Sequence, residues 1–171
     1  MTTTAPRAAR EADLEMIQEI ELDAGALFVD VGLPTIAGDD PPTLESLRAH
    51  LDTGTLWVIA DDEDRPVAYA SASVVDGEGH LDQVSVQRAF AGRALGRLLI
   101  DEVCAWARAR GFHGVTLTTF RDVPFNGPLY VRYGFAAIPE DELGPGLTRI
   151  RADERADGID VGPRIAMRRP V

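Results

Sequence analysis

The stretch HLDQVSVQRAFAGRALG, residues 80–96, contains the most informative pattern in this chain. Its alternating apolar residues predict a strand that ends at Val86. Small residues follow, and an apolar stripe with helical spacing begins at Leu95. Small residues ahead of a helix let backbone N–H groups approach a ligand closely, and the helix N-terminus carries about half a positive charge. The stretch therefore predicts a phosphate-binding turn between a strand and a helix.

The flanking sequence predicts an α/β fold on a mixed sheet. Ahead of the turn, hydrophobic spacing predicts a first helix at residues 12–31 and a second helix that is capped by Asp39–Asp40 and opened by Pro41–Pro42. An antiparallel meander of three strands follows, at 56–60, 67–75 and 80–86. Beyond it we predict a helix ending at Gly111 and alternating short elements: a strand at 115–120, a helix at 128–133 and strands at 135–138 and 165–167. Residues 140–158 are predicted as an acidic loop with one or two helical turns.

Composition excludes several classes of protein. The 171 residues favour a single domain over 1–171. The net charge of −11 disfavours a nucleic-acid partner. All 17 basic residues are arginine, which excludes a lysine Schiff base and a P-loop lysine. No stretch approaches the roughly 20 apolar residues that span a bilayer, so we expect a cytoplasmic protein with no membrane partner. The single cysteine, Cys104, lies on a helical apolar stripe and is predicted to be a buried structural thiol.

The turn itself carries a recognisable pattern. A Rossmann fingerprint and a Walker A motif are both absent. Residues 91–96, AGRALG, instead resemble the acetyl-CoA motif Q/R-x-x-G-x-G/A of the GCN5-related N-acetyltransferase (GNAT) superfamily. Ala91 stands where that motif has Gln or Arg, and Ala94 stands where it has its first Gly. Residues 126–130 followed by Tyr133-Gly134-Phe135 resemble a second signature of the superfamily, and residues 118–126 look like one bacterial branch of it. The resemblance covers roughly residues 7–169.

The resemblance implies a mixed, mostly antiparallel sheet of about six to seven strands flanked by about four helices. It also implies acetyl-CoA as the acyl donor, with no metal. The implied cofactor-binding residues lie on the last strand before the turn, on the turn and farther along the chain: Val84, Ser85, Val86, Ala91, Gly92, Arg93, Ala94, Leu95, Gly96, Arg97, Asn126 and Tyr130. Arg88, Arg93 and Arg97 are either a solvated face or anion ligands. Asn126 either caps a helix or contacts the cofactor.

Catalytic roles follow from the same resemblance. Tyr130 is implied to protonate the departing thiolate, the alternative being an ordinary half-buried aromatic residue. His80 and Asp82 are the candidate bases, since period-2 alternation places them on one strand face with Val84 and Val86. For each a structural role is open, a solvated histidine or a capping aspartate, and water could accept the proton instead.

We therefore expect an N-acetyltransferase that transfers acetyl to a primary amine of a small molecule by direct attack. The alternatives are a protein N-terminal acetyltransferase and a non-catalytic acyl-CoA-binding module. Phe28, Asp30, Leu33 and the 140–146 loop are implied to contact the acceptor. The partner is expected to be a small-molecule amine, and the protein a monomer or homodimer.

Overall fold

The computed structural model describes residues 5–171 and shows a seven-stranded sheet. The strand order is β1-β2-β3-β4-β5-β7-β6, and the β4–β5 pair is parallel whereas β1–β2, β2–β3, β5–β7 and β7–β6 are antiparallel. The strands are β1 (Arg7–Ala8), β2 (Leu56–Ala60), β3 (Pro66–Val75), β4 (Glu78–Val86), β5 (Gly114–Phe120), β6 (Ala136–Ile138) and β7 (Arg164–Pro170). The predicted mixed, mostly antiparallel sheet is confirmed.

The described residues contain seven α-helical segments, whereas the sequence predicted about four helices. They are α1 (Leu14–Gly25), α2 (Leu27–Asp30), α3 (Pro34–Ala37), α4 (Leu44–Thr53), α5 (Leu95–Ala109), α6 (Gly127–Arg132) and α7 (Pro145–Ala156). Three of them have only four to six residues. Within residues 5–171, none of the helices is both long and apolar enough to cross a membrane.

The first of two compact units comprises the chain up to Ser73 together with Leu81–Val103. In it, α1 and α4 lie on a core of buried apolar residues: Ala9, Leu14, Ile17, Ile20, Leu47, Leu56, Val58 and Tyr69. These residues leave water because the apolar positions of each helix recur on one side, and burial of that stripe drives the packing. This unit contains the end of β4, the turn and the start of α5.

The second compact unit comprises Val74–His80 and Cys104–Val171. Strands β5 and β7 pair along their whole length, from Gly114↔Pro170 to Phe120↔Arg164. The hairpin turn at Asp76-Gly77 has φ values of 52° and 76°, as a tight two-residue turn requires. Cys104 is buried, which confirms the sequence-based prediction.

Three predicted elements are wrong in detail. Residues 145–156 form the regular helix α7 rather than a loop. Helix α4 is capped by Thr43, whose side chain accepts the N–H of Ser46, so the proline pair precedes the helix instead of opening it. The predicted first helix, residues 12–31, is divided into a 3₁₀ turn, α1 and α2.

Candidate functional site

The turn between β4 and α5 has two residues in the left-handed region. Gly92 has a φ of 78° and Ala94 a φ of 58°. Residues 91–94 are all exposed. Successive backbone N–H groups of a turn with left-handed residues can point to one side and form a concave anion-binding surface. Ala94 stands where the family motif has a glycine, and its positive φ is a backbone conformation that favours glycine.

The first turn of α5 adds backbone N–H groups beside this surface. The carbonyl of Ala94 accepts the N–H of Leu98 at 3.2 Å, so Ala94 precedes the first helical residue. The N–H groups of Leu95 and Gly96 consequently precede the first hydrogen bond of the helix backbone. A Cβ on Gly96 would lie 3.8 Å from Val86 Cγ2 and 4.0 Å from Val84 Cγ2, ordinary contact distances. Alanine would therefore fit at this position too, in agreement with the Gly/Ala choice in the motif.

The three arginines near the turn are engaged differently. Arg88 binds Asp23 of α1 through both its backbone N–H, at 2.7 Å, and its side-chain Nε, at 3.1 Å. Arg93 lies over the ring of Phe90, 4.9 Å from its centroid. Arg97 lies 3.8 Å from Asp101, one helical turn further on. Arg93 and Arg97 are exposed beside the turn, whereas Arg88 ties the loop to α1.

Two residues of β4, Gln83 and Ser85, belong to a polar cluster around Glu21 of α1. Oε2 of Glu21 accepts hydrogen bonds from Tyr69 OH at 2.8 Å and Ser85 Oγ at 2.7 Å. Oε1 accepts from Gln83 Nε2 at 2.6 Å. Burial and the nearby charge of Glu21 raise the pKa of Tyr69 well above its usual value, so its hydroxyl stays a donor. Ser85, predicted as a cofactor residue, uses its side chain in this cluster.

Asp82 contacts two residues that sequence reasoning did not single out. Ser73 Oγ donates to Asp82 Oδ1 at 2.8 Å, and His50 Nε2 lies 3.8 Å from Oδ2. The Nδ1 of His50 lies 3.0 Å from the carbonyl oxygen of Ala72, which favours the tautomer with hydrogen on Nδ1. No local motif indicated His50, because it lies on α4, far from β4 in sequence.

The prediction that Asp82 shares a strand face with Val84 and Val86 is wrong. Asp82 contacts Ser73, which by period-2 alternation shares a face of β3 with Tyr69. Ser85 is on that same side, because it shares Glu21 with Tyr69. Asp82 and Ser85 are an odd number of positions apart, so the alternation breaks between them. Val84 and Val86 instead face Gly96 of α5.

His80 is buried in the second unit rather than solvated. Its Nδ1 lies 2.8 Å from Thr116 Oγ1, across the parallel pair His80↔Thr116 of β4 and β5. The interpretation of His80 as a solvated residue beside a glycine turn is therefore wrong. Its pairing with Thr116 fixes the ring and the register of these two strands.

Tyr130, on α6, is half-buried and makes an edge contact with the Phe135 ring at a centroid distance of 5.8 Å. Burial, reinforced by Tyr133 and opposed by the charge of Arg164, raises the pKa of Tyr130 to about 12. The hydroxyl therefore keeps its proton throughout the physiological pH range, which a general acid requires.

Asn126 precedes α6, but its side chain does not cap the helix. Its Nδ2 donates to the carbonyl of Phe125 at 2.9 Å, while its backbone carbonyl accepts the N–H of Tyr130. The capping role considered for the Asn126 side chain is therefore wrong. Gly127 follows, and a Cβ there would lie 2.3 Å from the carbonyl oxygen of Arg121. This glycine is required by close backbone approach, which sequence reasoning missed.

The residues implied to contact the acceptor lie on or just after α2 and in the 140–146 segment. Phe28 and Asp30 are on α2, and the N–H of Leu33 donates to the Phe28 carbonyl at 2.8 Å. The 140–146 segment forms a 3₁₀ turn followed by the start of α7. The carboxylate of Asp76 accepts the N–H groups of Gly146 and Leu147 at 2.7 and 3.0 Å and so caps α7.

A buried ion-pair network in the second unit was also missed. Glu154 of α7 binds Arg151, Arg164 and the hydroxyl of Thr118. Arg151 also binds Asp160 at 3.3 Å. Burial opposes ionisation of Glu154, but the hydrogen bonds and charges of these partners outweigh it and lower the pKa of Glu154. The network joins α7 to β5 and β7.

Comparison with known proteins identifies the class to which this fold and turn belong. The family model for the acetyltransferase (GNAT) family matches residues 17–135. A GNAT-family acetyltransferase from Staphylococcus aureus Mu50 is 16% identical over 96% of this chain and 97% of its own, with a TM-score of 0.74. The ribosomal-protein-S18-alanine N-acetyltransferase from Escherichia coli is 17% identical over 100% of this chain and 94% of its own, with a TM-score of 0.67. PaiA N-acetyltransferase from Thermoplasma acidophilum, solved with coenzyme A, is 10% identical over 97% of this chain and 98% of its own, with a TM-score of 0.67.

The chain belongs to the acetyltransferase (GNAT) family, since the family model matches well over half of its length. It is thus an acetyltransferase, for which the resemblance implied acetyl-CoA as the acyl donor. The β4–α5 turn fits such a donor: exposed small residues, two left-handed positions and the first N–H groups of a long helix suit a pyrophosphate.

Proposed function

We propose that this protein transfers the acetyl group of acetyl-CoA to a primary amine of a small molecule by direct attack. The observation that carries the proposal is the exposed turn at Gly92–Ala94 leading into α5, in a chain whose net charge of −11 would otherwise repel a polyanion. In this proposal the N–H groups of residues 92–97 bind the pyrophosphate, and Arg93 and Arg97 add positive charge beside it.

The remaining cofactor contacts come from β4, where Val84, Ser85 and Val86 offer backbone groups to the pantetheine arm. The amine nitrogen attacks the thioester carbonyl carbon, the C–S bond breaks, and the sulfur leaves with the electron pair. A backbone N–H near Val86 stabilises the negative charge that develops on the carbonyl oxygen. Tyr130 donates its proton to the sulfur, and the pKa of about 12 keeps it protonated beforehand.

The attacking amine must be neutral, so a proton has to leave it. Asp82, His80 and water stay the candidates for its acceptor. Asp82 is the more accessible of the two residues, whereas His80 is buried against Thr116. We expect Asp82→Asn to flatten the acidic limb of the pH–rate profile if Asp82 is the base. An unchanged profile in both Asp82→Asn and His80→Asn would assign the role to water.

The decisive experiment combines binding and turnover. Calorimetry measures the affinity of the wild-type protein for acetyl-CoA, and released thiol reports acetylation of a panel of primary amines. Gly92→Glu should abolish acetyl-CoA binding, because it places a carboxylate where we propose that the pyrophosphate binds. Gly111→Glu is the matched control, since Gly111 has a φ of 79° and follows the other end of α5.

Each alternative has its own outcome. Acetyl-CoA binding without thiol release with any amine or peptide would indicate a non-catalytic acyl-CoA-binding module. Acetylation of peptides with a free N-terminus, but of no small amine, would indicate a protein N-terminal acetyltransferase. Loss of acetyl-CoA binding in Gly111→Glu as in Gly92→Glu would contradict the proposed position of the pyrophosphate.

A further inference from the structure

Glu21 differs from the neighbouring carboxylates in the kind of partner that it has. Three acidic residues on or just before α1 pair with arginine: Asp13 with Arg7, Glu11 with Arg48, and Asp23 with Arg88. Among the described residues, the partners of Glu21 are two hydroxyl groups and one amide. Neutral donors hold and orient a carboxylate without cancelling its charge. The negative charge of Glu21 is therefore available to a cation from outside the chain.

The hydrogen-bonding capacity of Glu21 is also not exhausted. An ionised carboxylate offers about four lone-pair positions. Oε2 accepts from Tyr69 and Ser85, and Oε1 accepts from Gln83. One position on Oε1 is left, and Glu21 is only half-buried. The carboxylate therefore has capacity for one further N–H donor.

The position of the cluster on β4 connects it to the reaction. Gln83 and Ser85 flank Val84, whose backbone we propose as part of the pantetheine-binding strand. Because a β-strand rises about 3.3 Å per residue, Gln83 and Ser85 each lie only about 3.3 Å from Val84 along the strand. It occupies the side of β4 opposite the one that Val84 and Val86 present to α5.

We propose that Glu21 recognises the acceptor, and that the acceptor is a cationic primary amine whose ammonium group binds Oε1 of Glu21. This inference rests on the proposed transfer to an amine. The ammonium releases one proton to water or to the base before attack, and one remaining N–H donates to Glu21 while the lone pair faces the thioester. Tyr69, Ser85 and Gln83 are positioning residues, because they hold the carboxylate in place.

The test compares Glu21→Gln with Glu19→Gln, which removes the same charge from an exposed position of the same helix. The acceptors are benzylamine and 1,4-diaminobutane, which are cations at pH 7.5, 4-methoxyaniline, which is neutral there, and a peptide with a free N-terminus. We expect Glu21→Gln to raise the KM for the cationic acceptor that the wild type acetylates fastest by at least tenfold. Its kcat should change by less than threefold, and Glu19→Gln should match the wild type.

Two further measurements separate recognition from a structural role. The Tm and the acetyl-CoA Kd of Glu21→Gln should equal those of the wild type. If the variant does not fold, the wild-type KM is measured against NaCl concentration, where screening should raise it for cationic acceptors only.

The outcomes separate the two proposals. An unchanged KM in Glu21→Gln, or a KM whose salt dependence is equal for cationic and neutral acceptors, would overturn the role of Glu21 and leave the transferase activity standing. A wild-type protein that binds no acetyl-CoA would overturn the proposed function, and the role of Glu21 with it.

Discussion

Ala94 follows Gly92 by two residues, and both occupy the left-handed region, with φ values of 58° and 78°. The left-handed conformation costs an L-residue roughly 1–2 kcal/mol. Gly92 avoids this cost, whereas Ala94 carries it at the point where the backbone turns into α5. The turn is therefore formed against a local preference, and the surrounding structure has to hold it.

We expect Ala94→Gly to relieve this strain. Because any Ala→Gly change also adds conformational freedom to the unfolded chain, the matched control is Ala91→Gly, at an exposed position with an ordinary φ of −59°. The free energy of unfolding of Ala94→Gly should exceed that of Ala91→Gly by about 1–2 kcal/mol. Urea unfolding of both variants measures the difference, and equal stabilities would show that Ala94 is not strained.

Ala91→Arg places a cation where the family motif has Gln or Arg. We expect acetyl-CoA to bind with equal or higher affinity, since a charge-assisted hydrogen bond contributes about 1.5–3 kcal/mol at most and solvent screens this exposed site. Calorimetry gives the two dissociation constants, with Ala89→Arg in the same exposed loop as the control. Markedly weaker binding by Ala91→Arg alone would show that the motif register is wrong.

Tyr130→Phe keeps the ring and its contact with Phe135 but removes the proton. We expect the free energy of unfolding to change by less than about 1 kcal/mol. Turnover should fall by about 10²–10⁴-fold if proton transfer limits the rate. Thermal melting and steady-state kinetics on one preparation measure both, with Tyr133→Phe as the control. A stable Phe variant with full turnover would make Tyr130 a packing residue.

The pH dependence of turnover gives a second test of Tyr130. A general acid must be protonated, and burial raises the pKa of Tyr130 to about 12. Activity should therefore not decline through deprotonation of this group below about pH 11. A wild-type basic limb near pH 10 that disappears in Tyr130→Phe would contradict the raised pKa.

Glu154→Ala should destabilise the protein by about 3 kcal/mol, because the buried Arg151 keeps only Asp160 as a carboxylate partner and Arg164 loses Glu154. The folded-state pKa of Glu154 is lowered, so its contribution to stability is complete above the unfolded pKa near 4.5 and is lost as pH falls through the folded value. Urea unfolding at pH 7 and at pH 3 measures this dependence. Asp153→Ala, at an exposed position on the same helix, should cost less than about 0.5 kcal/mol.

Hydrophobic periodicity and turn residues were sufficient to predict those strands and helices whose pattern lies within their own sequence. The alternation of residues 80–86 and the apolar stripe from Leu95 gave β4 and α5 in the right order, and the turn between them followed from its small residues. Helix α7 could not be predicted in this way, because Gly144 supplies no capping side chain and the cap comes from Asp76. Its buried residues are Leu147, Arg151 and Glu154, so two of the three are charged and give no apolar periodicity.

The candidate site was predictable to a similar extent. The glycine motif indicated the turn, whereas Glu21 and His50 lie on helices distant in sequence from the strand that they serve. Which face of β4 Asp82 joins could not be predicted either, since period-2 alternation has no signal for the residue at which it breaks. Family resemblance supplied Tyr130, and no spacing rule would have selected it among the three tyrosines.

Because its cap comes from Asp76, we expect the start of α7 to form late in folding. The two ends of this contact are 70 residues apart in sequence, so the entropy of closing a long loop has to be overcome before the first amides of α7 are satisfied. The β3–β4 hairpin, whose contacts are local, can form well before that. During synthesis, Asp76 therefore leaves the ribosome before residues 145–156 have been made. Until Gly146 and Leu147 follow, the carboxylate of Asp76 at the hairpin turn lacks the two N–H groups that it later accepts.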